Sequence, residues 1–330
     1  MSLSPLELCV CNHTEIPMGL ESLAAQCAPE QKAIHLLSDV PSAARYLLSE
    51  LAPIGLKELF TLSRNPNRKI IGAYTLAPLP WDSEIYDMKM GKVDWLLAPG
   101  DADQRRKAKH ELAVTVVKEA QDRGYHHLSA RIPAVEHDSA HVLEDAGFHT
   151  MDMQVTLVLD NPVACDNVLP DGLAISPFEQ GDLDSLLDLS TDAYLESRLF
   201  VDPNLPVERT RRLHRQWVEN DCLGRAAVVF VARLGHHPVG YIACLLHRAQ
   251  MEHGKTGFGD IDLIAVNPSA RGRGIALALV RTALTWFAMR IGRVTVKTQV
   301  TNYPALGLYQ RAGFSLQQAF KTLHLSLPTD

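Results

Sequence analysis

AVNPSARGRGIALALV, residues 265–280, joins an apolar strand-like run to an apolar helix-like run through two glycines and two arginines. A strand that turns straight into a helix leaves the first N–H groups of that helix unpaired and pointing outward. Gly272 and Gly274 let this backbone approach a ligand closely, and the positive end of the helix dipole favours an anion. Arg271 and Arg273 add charge, so the expected occupant is a pyrophosphate held mainly by main-chain donors, through Gly274, Ile275 and Ala276. A Walker A loop is excluded because no Lys-Ser or Lys-Thr follows the glycines. A dinucleotide fingerprint is disfavoured because Leu277 replaces its third glycine and the next strand offers Lys297 instead of an acid.

The same order of elements occurs twice. HHLSARIPAVEHDSAHVLEDAGFHTMDMQVTLVL (126–159) runs parallel to GRVTVKTQVTNYPALGLYQRAGFSLQQAFKTLHL (292–325), with AGF in register. Upstream, two alternating hairpin-like runs carry Gly72 and Gly240 at matching places. Between the copies, DNPVACDNVLPDG lacks helical or strand periodicity and reads as a linker. The expected division is a first domain over 1–160, a linker over 161–172 and a second domain over 173–330. In the second, 182–197 and 206–221 read as helices, GDIDLIAV as a strand and PALGLYQRAG as a short helix. A mixed α+β sheet is implied.

The 330 residues suffice for two cores, and 46% hydrophobic and 21% charged residues describe an ordinary globular protein. A net charge of -6 argues against a nucleic-acid partner. Cys9, Cys11, Cys27, Cys165, Cys222 and Cys244 form no CxxC pair, so reduced thiols and a cytoplasmic setting are expected. No signal peptide or membrane-spanning run is read, and the fourteen histidines show no metal-ligand spacing, so neither membrane nor metal is expected. Cys222 and Cys244 lie beside no His-Asp pair in sequence and read as structural.

Val266, Pro268, Arg271, Gly272, Gly274 and Ala276 form V-x-P-x-x-R-G-x-G-x-A, and Asn302, Ala305, Tyr309, Gly313 and Phe314 form a second ordered signature downstream. Together they resemble the GNAT superfamily of acyl-CoA N-acyltransferases. The resemblance implies two tandem GNAT-like folds and direct transfer of an acyl group from acetyl-CoA to an amine. It also implies that main-chain groups of Ile264, Ala265 and Val266 hold the thioester where the central strand splays from its neighbour. Tyr309 takes the family's general-acid position, though its helical spacing also suits a packed aromatic. Asp260 is the candidate base; it shares a strand side with Asp262, and both equally suit a surface edge. Asn302 matches a pantetheine contact and also makes a good N-cap before Pro304.

In the first copy the junction reads LLAPGDADQRRKAKHEL, without R-G-x-G, and Leu143 and Glu136 replace Tyr309 and Asn302. That copy is expected to be degenerate, supporting the second or shaping its acceptor cleft. Residues 79–93, 193–203 and 215–221 resemble acyltransferases of nucleotide-activated amino sugars, such as TDP-fucosamine acetyltransferase. Arg198, Arg209, Arg211, Arg212 and Arg215 could then meet a diphosphate. Another small amine, a peptide, a thiol-sugar metabolite, or a non-catalytic acyl-CoA sensor are the alternatives. A monomer or homodimer is expected.

Overall fold

Runs rich in valine, isoleucine and leucine alternate as strands and recur with helical period as helices in a computed structural model that describes residues 6–11, 20–34, 58–64, 69–164, 168–247 and 258–328. The chain forms two compact units, one of residues 1–151 with 320–330 and the other of residues 152–319. No helix of the described residues is long and apolar enough to cross a membrane.

The first unit contains β1 (Leu6–Cys11), α1 (Leu20–Ile34), β2 (Glu58–Arg64), β3 (Lys69–Pro78), α2 (Pro80–Tyr86), β4 (Met90–Leu97), α3 (Ala102–Asp122), β5 (His127–Pro133) and α4 (His137–Asp145). β1 to β4 run antiparallel, while β4 and β5 are parallel. Leu112 and Val116 of α3 bury against Val93 and Leu128, closing a core that includes Leu143 and Phe148. The turn of the β2–β3 hairpin, 65–68, lies outside the described residues.

The second unit follows with β6 (His149–Asp160), which belongs to it from Asp152, then β7 (Leu173–Pro177), α5 (Leu183–Ser190), α6 (Arg198–Val201) and α7 (Val207–Asn220). It continues through β8 (Val228–Leu234), β9 (His237–His247), β10 (Phe258–Val266), α8 (Ile275–Ala288), β11 (Arg293–Gln299) and α9 (Tyr303–Arg311). Its strands lie in the order β6-β11-β10-β9-β8-β7, with β10–β11 the parallel pair. One face buries Ile261, Val294 and Val296 under α8 and α9; the other buries Tyr241, Leu263 and Ala265 under α5 and α7.

The units differ from the division at 160 and 173 expected from sequence. Residues 154–160 pair with β11, from Arg293↔Asp160 to Gln299↔Gln154, inside the second unit. Residues 320–326 of β12 (Ser315–Ser326) pair with β5, from Phe320↔Pro133 to Ser326↔His127, inside the first. Each unit thus closes with the strand that the repeat assigns to the other copy. The reason is visible at the two AGF turns: Gly147 (φ 98) leaves its Cβ position 3.5 Å from Leu325, and Gly313 (φ 94) leaves its own 3.5 Å from Leu159. Leu159 and Leu325 hold the same place in the repeat, so the two AGF turns meet equivalent residues on exchanged strands. Residues 165–167 of the expected linker, with Cys165, lie outside the described residues.

A second difference concerns 182–197, expected as one helix. α5 ends at Ser190, where the Ser190 and Thr191 hydroxyls both donate to the Leu187 carbonyl, the local side-chain bonding that competes with further helix. Tyr194 therefore leaves the helical repeat and meets β9.

Candidate functional site

β10 and β11 pair only from Phe258↔Arg293 to Ile261↔Val296, while β10 continues to Val266. A register shift between Ile261 and Leu263 against β9 marks a bulge at Asp262. The bulge re-aims the strand: Ile261 packs on the α8 face, Leu263 and Ala265 on the α5 face. Beyond it the strand parts from β11, and Ile264, Ala265 and Val266 occupy that parted stretch, bonded on their other side to β9.

Gly240 of β9 holds the parted end together. A Cβ there would lie 2.8 Å from the Ala265 carbonyl oxygen and 3.4 Å from Leu279 of α8. Gly72 has the same surroundings in the first unit, 2.8 Å from Leu112 of α3 and 2.9 Å from the Leu97 oxygen.

After β10 the chain makes a short turn in which Asn267 Oδ1 accepts from the Ser269 N–H at 3.0 Å. Arg271 Nε donates back to the Val266 oxygen at 3.2 Å, so this guanidinium braces the turn. Gly272 (φ 76) and Gly274 (φ 79) are left-handed, and a Cβ on Gly272 would meet nothing within 4 Å. Gly274 caps α8 without any side-chain bond to its first N–H groups, so those of Ile275 and Ala276 stay available at the positive end of the helix. Two left-handed glycines ahead of a helix start form a backbone concavity suited to a phosphate. Arg273 lies in it and is exposed. The first unit differs here: Asp101 caps α3 with its own carboxylate, accepting from the Gln104 N–H at 2.9 Å.

Tyr309 is buried in the α8–α9 core, edge-on to Phe314 at 5.7 Å, and burial alone pushes its phenol well up. Nothing among the described residues hydrogen-bonds its hydroxyl. Asn302 caps α9, its Oδ1 accepting from the Ala305 N–H at 3.2 Å, which leaves its amide N–H groups for other use. Across the sheet, Tyr194 and Tyr241 join their hydroxyls at 2.7 Å, and Tyr309 and Asp221 both bear electrostatically on Tyr194.

The two strand carboxylates are held differently. Asp260 Oδ2 meets His247 Nε2 at 2.7 Å, with His247 stacked on Phe258 at 4.6 Å. Asp262 accepts from Trp217 Nε1 at 2.9 Å and pairs with Arg225. Cys222 and Cys244 are pushed up by burial, Cys222 to about 12, so neither thiol is primed as a nucleophile.

A cavity of about 400 Å³ opens beside the motif, lined by Ser185, Asp188 and Asp192 on one side and Val266, Pro268 and Arg271 on the other. A second groove is lined by Arg211, Arg212 and Arg215, with Glu208 and Glu219. Arg211 is bound to Glu208 (2.6 Å) and Asp192 (3.2 Å), and Arg215 to Asp188 (3.0 Å). Only Arg212, exposed, lines that groove among the three arginines Arg198, Arg209 and Arg212; Arg198 opens α6, and Arg209 is half-buried on α7. Sequence patterning does not single out Trp217, Asp221, Arg225, Tyr194 or Tyr241, which gather only through tertiary folding.

A sheet that parts beside a glycine concavity, with a buried tyrosine on the next helix, defines an acyltransferase. Residues 184–314 match the Acetyltransferase (GNAT) family. The spore coat polysaccharide biosynthesis protein SpsD of Bacillus subtilis is 26% identical over 281 residues, 85% of this chain and 92% of that protein. The uncharacterized N-acetyltransferase MJ1207 of Methanocaldococcus jannaschii is 30% identical over 173 residues, 50% of this chain and 73% of that protein. A tandem GNAT protein from the clavulanic acid biosynthesis pathway shares the fold, with a TM-score of 0.56 at 16% identity, covering 99% of this chain and 100% of that one. The chain belongs to the GNAT acetyltransferase family and is an acyltransferase.

Proposed function

We propose that the second unit transfers an acetyl group from acetyl-CoA to the primary amine of a nucleotide-activated amino sugar. The observation that carries the cofactor reading is the uncapped start of α8 behind two left-handed glycines, against the self-capped Asp101 start of α3. In this reading the pyrophosphate lies on the N–H groups after Gly272, and the pantetheine runs between the parted strands past Asn302. The acetyl carbonyl rests on the main chain of Ile264 to Val266. The neutral amine attacks the carbonyl, main-chain donors stabilise the oxyanion, and Tyr309 protonates the departing thiolate.

The sugar-nucleotide reading is supported by similarity to a polysaccharide biosynthesis protein over most of both chains. Arg212, in a groove beside arginines already matched to carboxylates, is the guanidinium read as meeting the diphosphate. A thiol-release assay with acetyl-CoA against TDP-amino sugars, polyamines, amino acids and peptides tests both parts. Turnover is expected to be fastest with a TDP-amino sugar. Acetyl-CoA binding without thiol release from any amine would leave an acyl-CoA sensor instead.

A further inference from the structure

α7 runs into a π turn, Asp221–Arg225, that brings a second carboxylate to the bulge of β10. Asp221 is 2% exposed, and its buried carboxylate has Arg225 and Asp262 as its close polar neighbours. Arg225 reaches Asp221 Oδ1 at 2.7 Å with the same Nη2 atom that contacts Asp262 Oδ2. The two carboxyls are therefore neighbours across one guanidinium nitrogen. Trp217 also donates to Oδ2 of Asp262, so both anchoring donors fall on one oxygen and Oδ1 is left for another partner. Fully ionised, two carboxylates over one exposed guanidinium leave a net negative charge beside the buried Asp221, which a single retained proton removes.

We propose that Asp221 and Asp262 share one proton and set the acid–base chemistry of acyl transfer, Asp262 taking the acceptor's proton at the parting of β10 and β11 and Asp221 acting as its positioning residue. The proposal rests on the acetyltransferase reading above and names the proton acceptor of that same site. The ammonium's first proton goes to Asp262 and from there to solvent. As the C–N bond forms and the C–S bond breaks, Tyr309 gives its proton to the thiolate, and the nitrogen's second proton passes through solvent to restore the Tyr309 phenol. Asp260, already joined to His247, has no part in this step.

The titratable and charged groups around Asp221 agree with this division. Asp262 faces it from β10, Arg225 and Cys222 from its own turn, Tyr241 and Cys244 from β9, and Tyr194 from beyond α5. Burial raises both phenols and both thiols, keeping them neutral, and His214, stacked on Trp217, is pushed down by burial. Burial first and the Asp262 charge second push the Asp221 carboxyl up to about 7, with Arg225 opposing.

Two measurements test the pair. The first needs no acceptor: Trp217 is bonded into the cluster, so its fluorescence, taken as the difference from Trp217→Phe, is expected to titrate with a midpoint near 7. Asp221→Asn is expected to move that midpoint down by at least about one pH unit, because the like charge is gone. The second uses acetyl-CoA with a TDP-amino sugar. The acid limb of kcat/KM is expected to follow the fluorescence midpoint in parent and Asp221→Asn alike, with KM for acetyl-CoA unchanged, while Asp262→Asn lowers kcat on the order of 10²-fold. An unchanged fluorescence midpoint in Asp221→Asn overturns the proposal, as does an acid limb removed by Asp260→Asn and kept in Asp262→Asn. A normal Trp217 titration without turnover of any amine would instead count against the enzymatic reading alone.

Discussion

The ring of Tyr309 is core against Phe314 while its hydroxyl stays unclaimed among the described residues, so the packed role is seen and the proposed acid role is the one to test. Replacing Tyr309 with Phe keeps the packing and removes the proton. Turnover is expected to fall on the order of 10²-fold, with acetyl-CoA affinity nearly unchanged by equilibrium titration. Asp221 couples stability to pH. Its carboxyl rises on folding from an ordinary 3.8 to about 7, so the unfolded chain gives up the proton first. Its contribution to stability is full below the ordinary value and is lost as pH rises through about 7. Asp221→Asn cannot ionise and should therefore gain stability relative to the parent between mildly acidic and mildly alkaline pH, read as denaturation midpoints. The sequence marks Tyr309 and Asp260 by their distance from a motif. It does not mark Asp221, because nothing local separates a buried carboxylate in RQWVEND from a solvated one.

At the scale of the element, the opening stretch forms a strand end, a brace and a helix start. Arg271 bonds the Val266 carbonyl through Nε and keeps its charge and its Nη–H groups beside the bare N–H groups that open α8. Gly274 holds φ 79 as the cap, a conformation costing an L-residue roughly 1–2 kcal/mol. Gly274→Ala is expected to lower the melting temperature and to weaken acetyl-CoA binding together, seen by thermal unfolding with and without acetyl-CoA. α5 shows what periodicity misses: apolar spacing continues past Ser190, yet two hydroxyls on one carbonyl end the helix and free Tyr194 to reach Tyr241.

For the whole molecule, the repeat explains both what the first copy keeps and what it has lost. Gly72 packs as Gly240 does, so the scaffold persists. Where the second copy offers bare N–H groups, Asp101 supplies an internal anion. Glu136, in the place of Asn302, lies buried with Lys109 of α3 at 3.3 Å and accepts from Ser139 at 2.5 Å. Such a satisfied internal network replaces a ligand's contacts, and calorimetric titration is expected to find one acetyl-CoA bound per chain. The exchanged strands give a separate expectation. A fragment of residues 152–319 holds the β6 partner of β11 and should unfold cooperatively on heating, whereas 173–330 lacks it and should not.

The linear chain determined the duplication, the mixed sheet, the glycine turn before α8 and which copy keeps the second signature, because strand alternation, helical period and left-handed glycines are local properties. Tertiary structure alone decided which copy each closing strand completes, since Leu159 and Leu325 are equivalent in the repeat and local sequence does not tell their partners apart. It also decided that Asp262 and Asp221 meet over Arg225 while Asp260 turns to His247. A carboxylate's environment is set by what packs against it, and for Asp221 that is supplied by β9 and β10 as well as by its own turn.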